Sequence, residues 1–525
     1  MSARPDMSAS VKYATAHPLR AISFGNPAVI IERRDDGTIY LRPRSKLVDY
    51  PQRITDRLHH WAATEPHRVF MAERAAGGAW REISYAQLLD AARHIASALI
   101  ARGLSAEKPL VILSGNSIDH ALAKFLLTSG STGNPKAVIN TQRMLCANQV
   151  MLRETLAFLK DEPPVIVDWL PWNHTFGGNH NIGLTLFNGG SMYLDEGKPM
   201  PGGIEDTVKN LREISPTVYF NVPKGYESLL PYLRDDSGLR AKFFGRLHAM
   251  FFSGAALSPY VWNSLDELAV RETGFRVPML TGLGATETAP FFMSVRPDTS
   301  RSGHVGLPVS GNEAKLLPNN GKLEVRARGP NVTPGYWRQP ELTAAAFDEE
   351  GFYKFGDALK PAKADDFDAG FDFDGRIAED FKLASGTWVS VGPLRARFIA
   401  ACAPLVRDVV IAGINRDEIS AIVILDLDGC RVINPALSAT DIATAAADPL
   451  VRAAFRERFA RFLASATGSS TRITRAILLD APLSIDRGEV TDKGSINQRA
   501  VLEHRAAVIE ALYADVPPPH VITLS

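Results

Sequence analysis

Alternating apolar runs and helically spaced segments between residues 165 and 290 constrain the fold of this 525-residue chain most strongly. The apolar runs VIVDWLP, TVYFNVP, HAMFFSG and VPMLTGLG alternate with stretches of helical spacing, as at residues 204–214 and 260–272. Short apolar runs bounded by turn residues are typical of buried strands. The alternation therefore predicts an α/β domain in this part of the chain.

The segments on either side of this region show different residue patterns and predict different secondary structure. A short strand is expected at residues 28–32 and a helix at residues 84–102. From residue 303 to residue 360, alternating runs such as KLEVRAR and Gly/Pro turns predict a β-rich subdomain. The Asp-rich stretch at residues 363–376 is interpreted as a surface loop that leads into a linker. We therefore expect an N-terminal domain over residues 1–374.

The last 150 residues or so predict a smaller α+β unit. Two strands are expected in DVVIAGINRDEISAIVILD and a third in RITRAILLD. An amphipathic helix is expected at residues 449–464 and a final helix at residues 496–513. These elements predict a C-terminal domain over residues 375–525.

Charge and cysteine content argue against several function classes. Lys plus Arg and Asp plus Glu both total 58, and a net charge of zero does not suit a nucleic-acid binder. The cysteines, Cys146, Cys402 and Cys430, lack the paired spacing of a disulfide framework or a zinc site. No apolar run has the character of a signal peptide or a membrane span. We expect a soluble cytoplasmic protein.

A loop of Ser, Thr and Gly lies in the stretch KFLLTSGSTGNPKAVINTQRM, residues 124–144. It is not a Walker A loop, because Pro135 separates the glycines from Lys136. The glycines still free backbone N–H groups for an anion, while hydroxyls and the lysine add donors and charge. On the loop alone, phosphate binding and a plain turn between two strands both remain open. The candidate ligands are Thr128, Ser129, Gly130, Ser131, Thr132, Gly133 and Lys136.

Three further stretches carry candidate groups. LTGLGATETAP places Thr286 beside Glu287, which suits a phosphate and its Mg²⁺ or, alternatively, a helix N-cap with an acidic first turn. Asp357 follows a turn glycine and suits ribose hydroxyls, with a turn aspartate as the alternative. Arg376 and Lys493 would each, taken alone, be an ordinary surface charge.

Together and in this order, these motifs resemble the AMP-forming acyl-CoA synthetases of the adenylate-forming superfamily. PWNHTFGGNHN, GRIAEDFKLASGTWVSVGPLR and VTDKGSINQR are similar to bacterial feruloyl-CoA synthetases in particular. The resemblance implies a large N-terminal adenylate-forming domain of layered α/β subdomains with a β-rich subdomain, and a small α+β C-terminal lid. It also implies an ATP-dependent acid–thiol ligase for ferulate or a related hydroxycinnamate, with Mg²⁺ as cofactor and ATP and CoA as co-substrates. A homodimer is compatible with it.

The resemblance also assigns roles to residues. Residues 128–136 would order the β- and γ-phosphates, Thr286 would contact the α-phosphate, and Glu287 would hold Mg²⁺. Asp357, assisted by Arg376, would bind the ribose. Lys493 would bridge the acyl carboxylate and the phosphate. The segment that lines the adenine would be Ser253, Gly254, Ala255 and Ala256.

His174 matches the family's residue at the acyl pocket, with a satisfied structural histidine as the rival interpretation. The stretch Asn-His-Thr-Phe has no acid to hold an ammonium group, which favours an uncharged acyl group. Another carboxylic acid, fatty or aryl, remains an alternative substrate. The expected pocket neighbours are Phe176, Tyr219, Gly282, Leu283 and Gly284, although an aromatic residue in a strand is more often plain core.

The chain departs from the family in three places. Leu283 stands where many relatives have Tyr, and Ala378 where many have the hinge Asp or Lys. The third departure is the short connection between the runs VILSG and KFLLT, residues 116–123. Parallel strands need a crossover of about a dozen residues or more, so we expect that strand–helix units are missing near residues 121–124. An inactive relative disabled by this loss is therefore a further alternative.

Overall fold

The computed structural model describes residues 16–104, 115–118, 127–128, 136–200, 202–255, 257–364, 366–438, 441–484, 486–490 and 496–524. The chain splits into two compact units, Met1–Phe355 with Lys360–Phe373, and Gly356–Leu359 with Asp374–Ser525. Both units combine sheets with helices, which confirms the predicted mixed α/β class with a large N-terminal and a smaller C-terminal part. That the smaller unit acts as a lid stays a prediction.

The strands up to residue 376 form four sheets in the described part of the chain. Their strand orders are β1-β2-β15-β16-β17-β18-β14-β13-β12, β4-β3-β8-β7, β11-β10-β9 and β5-β6. The strands are β1 Val29–Arg33, β2 Ile39–Pro43, β3 Val69–Arg74, β4 Trp80–Ser84, β5 Leu127–Thr128, β6 Lys136–Ala137, β7 Val165–Asp168, β8 Ser191–Leu194, β9 Val218–Asn221, β10 Ala249–Phe252, β11 Met279–Leu280, β12 Gly282–Leu283, β13 Met293–Ser294, β14 His304–Pro308, β15 Glu313–Asn319, β16 Lys322–Arg328, β17 Tyr353–Pro361 and β18 Phe371–Arg376.

Helices accompany these strands where the apolar spacing predicted them. The helix expected at residues 84–102 is observed at Tyr85–Ala101, and the side chain of Ser84 caps it by accepting from the backbone N–H of Gln87. The α-helices of this part are Thr55–Thr64, Tyr85–Ala101, Gln142–Thr155, Ile182–Asn188, Ile204–Glu213, Pro223–Asp235, Ser237–Gly245, Pro259–Thr273 and Pro340–Ala346. A π-helical segment, Phe176–Asn181, precedes the fourth of them, and Thr286–Thr288 forms a 3₁₀ turn.

Parallel strands β9, β10 and β11 lie at the centre of the larger unit and are buried on both faces. Alternate side chains of β9 enter two different cores. Tyr219 belongs to a core with Tyr226, Phe243 and Phe252, whereas Val218 and Phe220 belong to a core with Phe176 and Phe251. We call the first the helix-covered face, because residues of the helices Ile204–Glu213, Pro223–Asp235, Ser237–Gly245 and Pro259–Thr273 complete it, and the second the motif face.

The predicted surface loop at residues 363–376 is partly wrong. Phe371–Arg376 is strand β18 of the nine-stranded sheet, and Phe371 is fully buried. In the stretch FDFDGR, Phe371 and Gly375 are buried whereas Phe373 is exposed, so apolar alternation does not mark this strand, which pairs with the distant β14. The β-rich subdomain predicted from residue 303 onward corresponds to strands β14 to β17.

The smaller unit has a four-stranded sheet of order β21-β22-β23-β24 and a two-stranded sheet β19-β20. The helix expected at residues 449–464 is observed at Pro449–Ala464. The single final helix expected at residues 496–513 is wrong, because two helices, Gln498–His504 and Ala506–Tyr513, meet at Arg505. The strands are β19 Phe381–Lys382, β20 Trp388–Val389, β21 Val406–Ala412, β22 Ile419–Leu425, β23 Ile473–Leu478 and β24 Val521–Thr523, and the remaining helices are Val391–Cys402, Leu427–Ile433 and Ile442–Ala447.

The predicted short crossover before the Ser/Thr/Gly loop lies mostly outside the described residues. Residues 115–118 are described, and Asn116 is fixed there because its amide donates to the Leu170 carbonyl at 2.9 Å. Residues 105–114 and 119–126 are not described, so the missing units stay a prediction. Among the described helices, none is both long and apolar enough to cross a membrane.

Candidate functional site

The turn that carries Thr286 and Glu287 follows strand β12 directly. The backbone packs so closely here that a Cβ atom on Gly282 would overlap the Met293 carbonyl, and one on Gly284 would overlap the Pro290 carbonyl. Only glycine fits such an approach, which explains the GLG spacing. The 3₁₀ turn that follows buries Thr286 and leaves Glu287 partly exposed.

A segment after strand β16, residues 331–336, fixes this turn by hydrogen bonds. The backbone N–H of Thr333 donates to the Glu287 carbonyl at 2.8 Å, and the Asn331 amide donates to the Thr288 carbonyl at 2.7 Å. The Tyr336 hydroxyl donates to Oε1 of Glu287 at 2.9 Å. Glu287 is thus fixed by backbone and side chain, while its Oε2 atom has no hydrogen bond to Tyr336.

Lys136 lies near the same tyrosine. Strand β6 lies against the segment at residues 336–337, because Val138 bridges Tyr336 and the backbone N–H of Trp337 donates to the Ala137 carbonyl at 2.8 Å. The Lys136 ammonium lies 5.5 Å from the centroid of the Tyr336 ring, a cation–π distance. The structure therefore brings the predicted phosphate lysine and the predicted Mg²⁺ carboxylate to one tyrosine.

The rest of the predicted phosphate loop is described only in part. Thr128 pairs with Lys136 across the β5–β6 ladder, which places one end of the loop beside the lysine. Ser129, Gly130, Ser131, Thr132 and Gly133 lie outside the described residues. Their contact with phosphate stays a prediction.

Tyr336 and Tyr353 are the aromatic neighbours of Glu287. Burial, together with the Glu287 carboxylate, raises the pKa of both phenols well above their usual value. Both hydroxyls therefore stay protonated at neutral pH and can act as hydrogen-bond donors toward the carboxylate. Two protonated phenols therefore adjoin the Glu287 side chain.

The predicted adenine segment follows strand β10. The Ser253 backbone N–H donates to the Asn221 carbonyl at 3.3 Å, and Gly254 adopts a φ of +92°. Gly254 and Ala255 are exposed, so this turn presents its backbone to solvent. Ala256 lies outside the described residues.

The predicted acyl-pocket residues divide between the two faces of the central sheet. His174 accepts a hydrogen bond at Nδ1 from the Phe176 backbone N–H at 3.1 Å, and Phe176 packs on the motif face. Leu283 is buried in β12. Tyr219 points to the helix-covered face, where its ring packs against Tyr226 and Phe243 at centroid distances of 5.7 and 5.0 Å. Its neighbour Phe220 occupies the motif face instead, because side chains alternate along a strand.

The predicted ribose residues lie in the smaller unit. Nε of Arg376 is 3.7 Å from Oδ1 of Asp357, so the two expected partners are together. Burial raises the pKa of Asp357 to about 6, an effect that the Arg376 charge partly offsets. Lys493 lies outside the described residues, so its role stays a prediction.

The sequence did not predict that the segment after β16 holds the Thr286–Thr288 turn by hydrogen bonds. Asn331, Thr333 and Tyr336 all come from the stretch GPNVTPGYW, which reads as an ordinary Gly/Pro loop after a strand. Their importance depends on contacts with residues more than 40 positions earlier, which no local pattern reveals. The only signal was a cluster of polar and aromatic residues between two turn residues.

Part of this chain is similar in sequence to known proteins. Residues 119–337 match the AMP-binding enzyme family. Anthranilate–CoA ligase of Pseudomonas aeruginosa is 30% identical over 281 residues, 52% of this chain and 50% of the relative. A 3-hydroxybenzoate–CoA/4-hydroxybenzoate–CoA ligase of Thauera aromatica is 27% identical over 307 residues, 57% of this chain and 54% of the relative. The chain thus spans about half the length of these curated relatives.

Solved structures share the fold. ATP-bound MatB from Rhodopseudomonas palustris superposes with a TM-score of 0.66 at 20% identity, covering 87% of this chain and 99% of that one. The anthranilate CoA ligase AuaEII in complex with anthranoyl-AMP gives a TM-score of 0.65 at 18% identity, covering 89% of this chain and 100% of that one. At these identities the likeness concerns the fold.

Proposed function

We propose that this chain, whose residues 119–337 match the AMP-binding enzyme family, activates an aromatic carboxylic acid with ATP and transfers it to CoA. The acid is ferulate or a related hydroxycinnamate. The observation that carries the proposal is that Lys136 and Glu287 both contact Tyr336, and that Thr286 adjoins Glu287 in the same turn. A cation, a carboxylate and a hydroxyl in one place suit a triphosphate and its metal ion.

The reaction has two steps. A carboxylate oxygen of the acid attacks the α-phosphorus of ATP, and the bond from that phosphorus to the bridging oxygen of the β-phosphate breaks, which gives acyl-AMP and pyrophosphate. The CoA thiolate then attacks the acyl carbonyl carbon, and AMP leaves with the bonding electron pair. The first step makes an unreactive carboxylate into an electrophile.

The residues of the larger unit fit Mg²⁺ as the metal of the first step. Mg²⁺ is bound in nucleotide sites by one or two carboxylates together with phosphate oxygens and water. Glu287 offers one fixed carboxylate, and no cluster of three or more His, Cys, Asp or Glu competes with it in the described part of the chain. Glu287 would hold the ion, which when bound neutralises phosphate charge. Thr286 would donate its hydroxyl to the α-phosphate.

Preorganised positive charge assists the attack. Lys136 would bind the β- and γ-phosphates with the Ser/Thr/Gly loop, and Lys493 would bridge the acyl carboxylate and the α-phosphate. Asp357 and Arg376 would bind the ribose, and Ser253 to Ala256 would line the adenine. The smaller unit would act as a lid that reorients between the two steps.

Aromatic side chains on the motif face support an aryl substrate. Phe176, Phe220 and Phe251 lie within 6.2 Å of one another by ring centroid, and the backbone N–H of Phe176 donates to His174. Edge-to-face packing with such rings stabilises an aromatic acid beyond simple burial. The relatives that act on anthranilate and hydroxybenzoates agree with this class.

Acid-dependent exchange of labelled pyrophosphate into ATP tests the first step, and thioester absorbance after addition of CoA tests the second. We expect both with ferulate and Mg²⁺. Lys493→Ala should lower the exchange by about 100-fold or more, because one charge in a preorganised site contributes that much. Binding of ATP to the variant should persist in a calorimetric titration.

Lys363→Ala is the matched control, because this lysine is largely exposed and pairs only with Asp366 among the contacts described. Unchanged exchange in Lys493→Ala would remove that residue from the mechanism. Exchange with fatty acids but with no aryl acid would favour the alternative substrate class. A folded wild type that binds ATP but exchanges with no acid would favour an inactive relative.

A further inference from the structure

His180 is a buried histidine on the motif face that the proposed mechanism does not use. It lies in the π-helical segment Phe176–Asn181, six residues after His174, and only 2% of it is exposed. Four phenylalanine rings surround it, with centroids at 5.3 Å for Phe176, 4.9 Å for Phe220, 5.7 Å for Phe251 and 6.4 Å for Phe291. A polar ring among four apolar rings needs partners for its two nitrogens.

One of those nitrogens has a partner. Nδ1 of His180 lies 2.8 Å from Oδ1 of Asn181. An amide oxygen only accepts hydrogen bonds, so Nδ1 carries the hydrogen and Nε2 is a bare acceptor.

The other nitrogen lacks one. Nε2 of His180 is buried and has no hydrogen-bond partner among the described residues. Burial lowers the pKa of His180 to about 4, so the ring is neutral at physiological pH and Nε2 keeps its lone pair. A buried acceptor without a donor is destabilising, which favours a ligand that brings a donor.

The four phenylalanines connect this acceptor to the predicted site motifs. Phe176 comes two residues after His174, Phe251 two residues before Ser253, and Phe291 four residues after Glu287. Phe220 lies in the strand next to Phe251 and pairs with it in register. The acceptor is therefore surrounded by side chains whose backbones also carry the acyl, adenine and metal motifs.

We propose that His180 determines the specificity of the acyl pocket by accepting, at Nε2, a hydrogen bond from the phenolic hydroxyl of the aromatic acid. The inference rests on the proposed function and deepens it, since it names the group of the acid that the pocket recognises. The phenylalanine rings pack against the ring of the acid, and its hydroxyl supplies the missing donor. A methoxy group or a hydrogen atom in the same position cannot donate and leaves the acceptor unpaired.

The test compares 4-hydroxycinnamate with 4-methoxycinnamate and cinnamate in the full chain. We expect kcat/KM of wild type to favour the hydroxy acid about tenfold or more, because an unpaired buried acceptor disfavours analogues without a donor. His180→Phe should remove this preference by raising KM for the hydroxy acid while KM for ATP stays unchanged. His180→Gln should keep part of it, because its Oε1 atom can still accept.

His248→Gln is the matched control. This histidine also stacks on a phenylalanine, Phe158, but its Nε2 already has a partner, Glu162, at 2.8 Å. The control should keep the preference for the hydroxy acid. Equilibrium dialysis of the three acids, without CoA, should show the same order of Kd values as the kinetics, which separates binding from turnover.

Several outcomes would overturn the inference. If wild type turns over all three acids equally, it does not recognise the phenolic hydroxyl. A preference that persists unchanged in His180→Phe, or in His180→Leu if the first variant does not fold, means that a buried water or nothing at all satisfies Nε2. A wild type that activates no aromatic acid contradicts the proposed function itself, and fatty-acid exchange would identify that case.

Discussion

Both faces of the central parallel sheet bury aromatic and polar side chains, but the two faces differ in how far the buried polar atoms are hydrogen-bonded. On the helix-covered face, the Tyr226 hydroxyl bonds to the backbone of Tyr219 at 2.8 Å and of Phe251 at 3.1 Å, and the Tyr219 hydroxyl accepts from the Asn221 amide at 3.0 Å. On the motif face, Nε2 of His180 and Oδ2 of Asp168 are buried without hydrogen-bond partners among the described residues.

This difference separates stability from function. A completely satisfied polar core fixes one conformation, whereas buried polar atoms without partners carry a free-energy cost that a ligand can remove. Strand alternation assigns each residue of β9 and β10 to one of the two faces. Substitutions on the two faces should therefore change different measured quantities.

Phe243→Ala should have the largest effect on stability. This ring is completely buried against Tyr219 and Phe244 on the helix-covered face, and truncation of such a ring costs about 3–5 kcal/mol of the free energy of unfolding. Urea denaturation of wild type and variant measures the loss. The ratio of kcat/KM for hydroxy and methoxy acids should not change in the folded fraction.

The exposed Phe373→Ala is the matched control, because 41% of that residue is already accessible. It should cost much less than Phe243→Ala. A change of acid preference in Phe243→Ala would mean that the helix-covered face contributes to the acyl pocket after all.

Asp168→Asn should alter the pH dependence of stability on the motif face. Burial raises the pKa of Asp168 to about 7, from an unfolded value near 3.8. The folded state then binds this proton more tightly than the unfolded state, so wild-type stability declines as pH rises from about 4 to 7. The asparagine variant lacks this decline, and its advantage over wild type should grow across the same range.

Urea denaturation of both proteins at pH 5 and pH 8 measures this difference. The rise in the pKa of Asp168 from about 3.8 to about 7 corresponds to an upper bound on the order of 4 kcal/mol in unfolding free energy, and the change between the two pH values should be a sizeable part of it. Asp298→Asn, at an exposed aspartate, should follow the wild-type curve. Parallel curves for wild type and Asp168→Asn would show that Asp168 is ionised in the folded protein throughout.

Tyr219→Phe should have the smallest effect. It removes only the hydroxyl that accepts from Asn221, which is worth about 1 kcal/mol of unfolding free energy. KM for the acid should stay unchanged, because the ring lies on the helix-covered face. Tyr226→Phe loses two hydrogen bonds on the same face, so its loss of unfolding free energy is the reference for the loss in Tyr219→Phe. A raised KM for the acid in Tyr219→Phe would support its predicted role as a pocket wall.

Much of the architecture follows from local pattern. The helices Tyr85–Ala101 and Pro449–Ala464 and strands β9, β10, β21 and β22 lie where apolar spacing predicted them, because periodicity is a property of neighbouring residues. Strand β18 and the break at Arg505 were missed. Burial of Phe371 in a sheet and the meeting of two helices depend on distant partners that composition does not reveal.

The candidate site divides in the same way. The sequence alone determined which chemical groups are present, namely the Ser/Thr/Gly loop, the Thr286–Glu287 pair and His174, since motif spacing is visible in one dimension. Only the tertiary structure decided that Tyr336 joins Lys136 to Glu287, that Tyr219 faces away from Phe176, and that His180 keeps a bare nitrogen. The physical reason is that the pairing of strands and the packing of faces join residues far apart in the chain, and these contacts decide which groups keep a free hydrogen-bonding capacity.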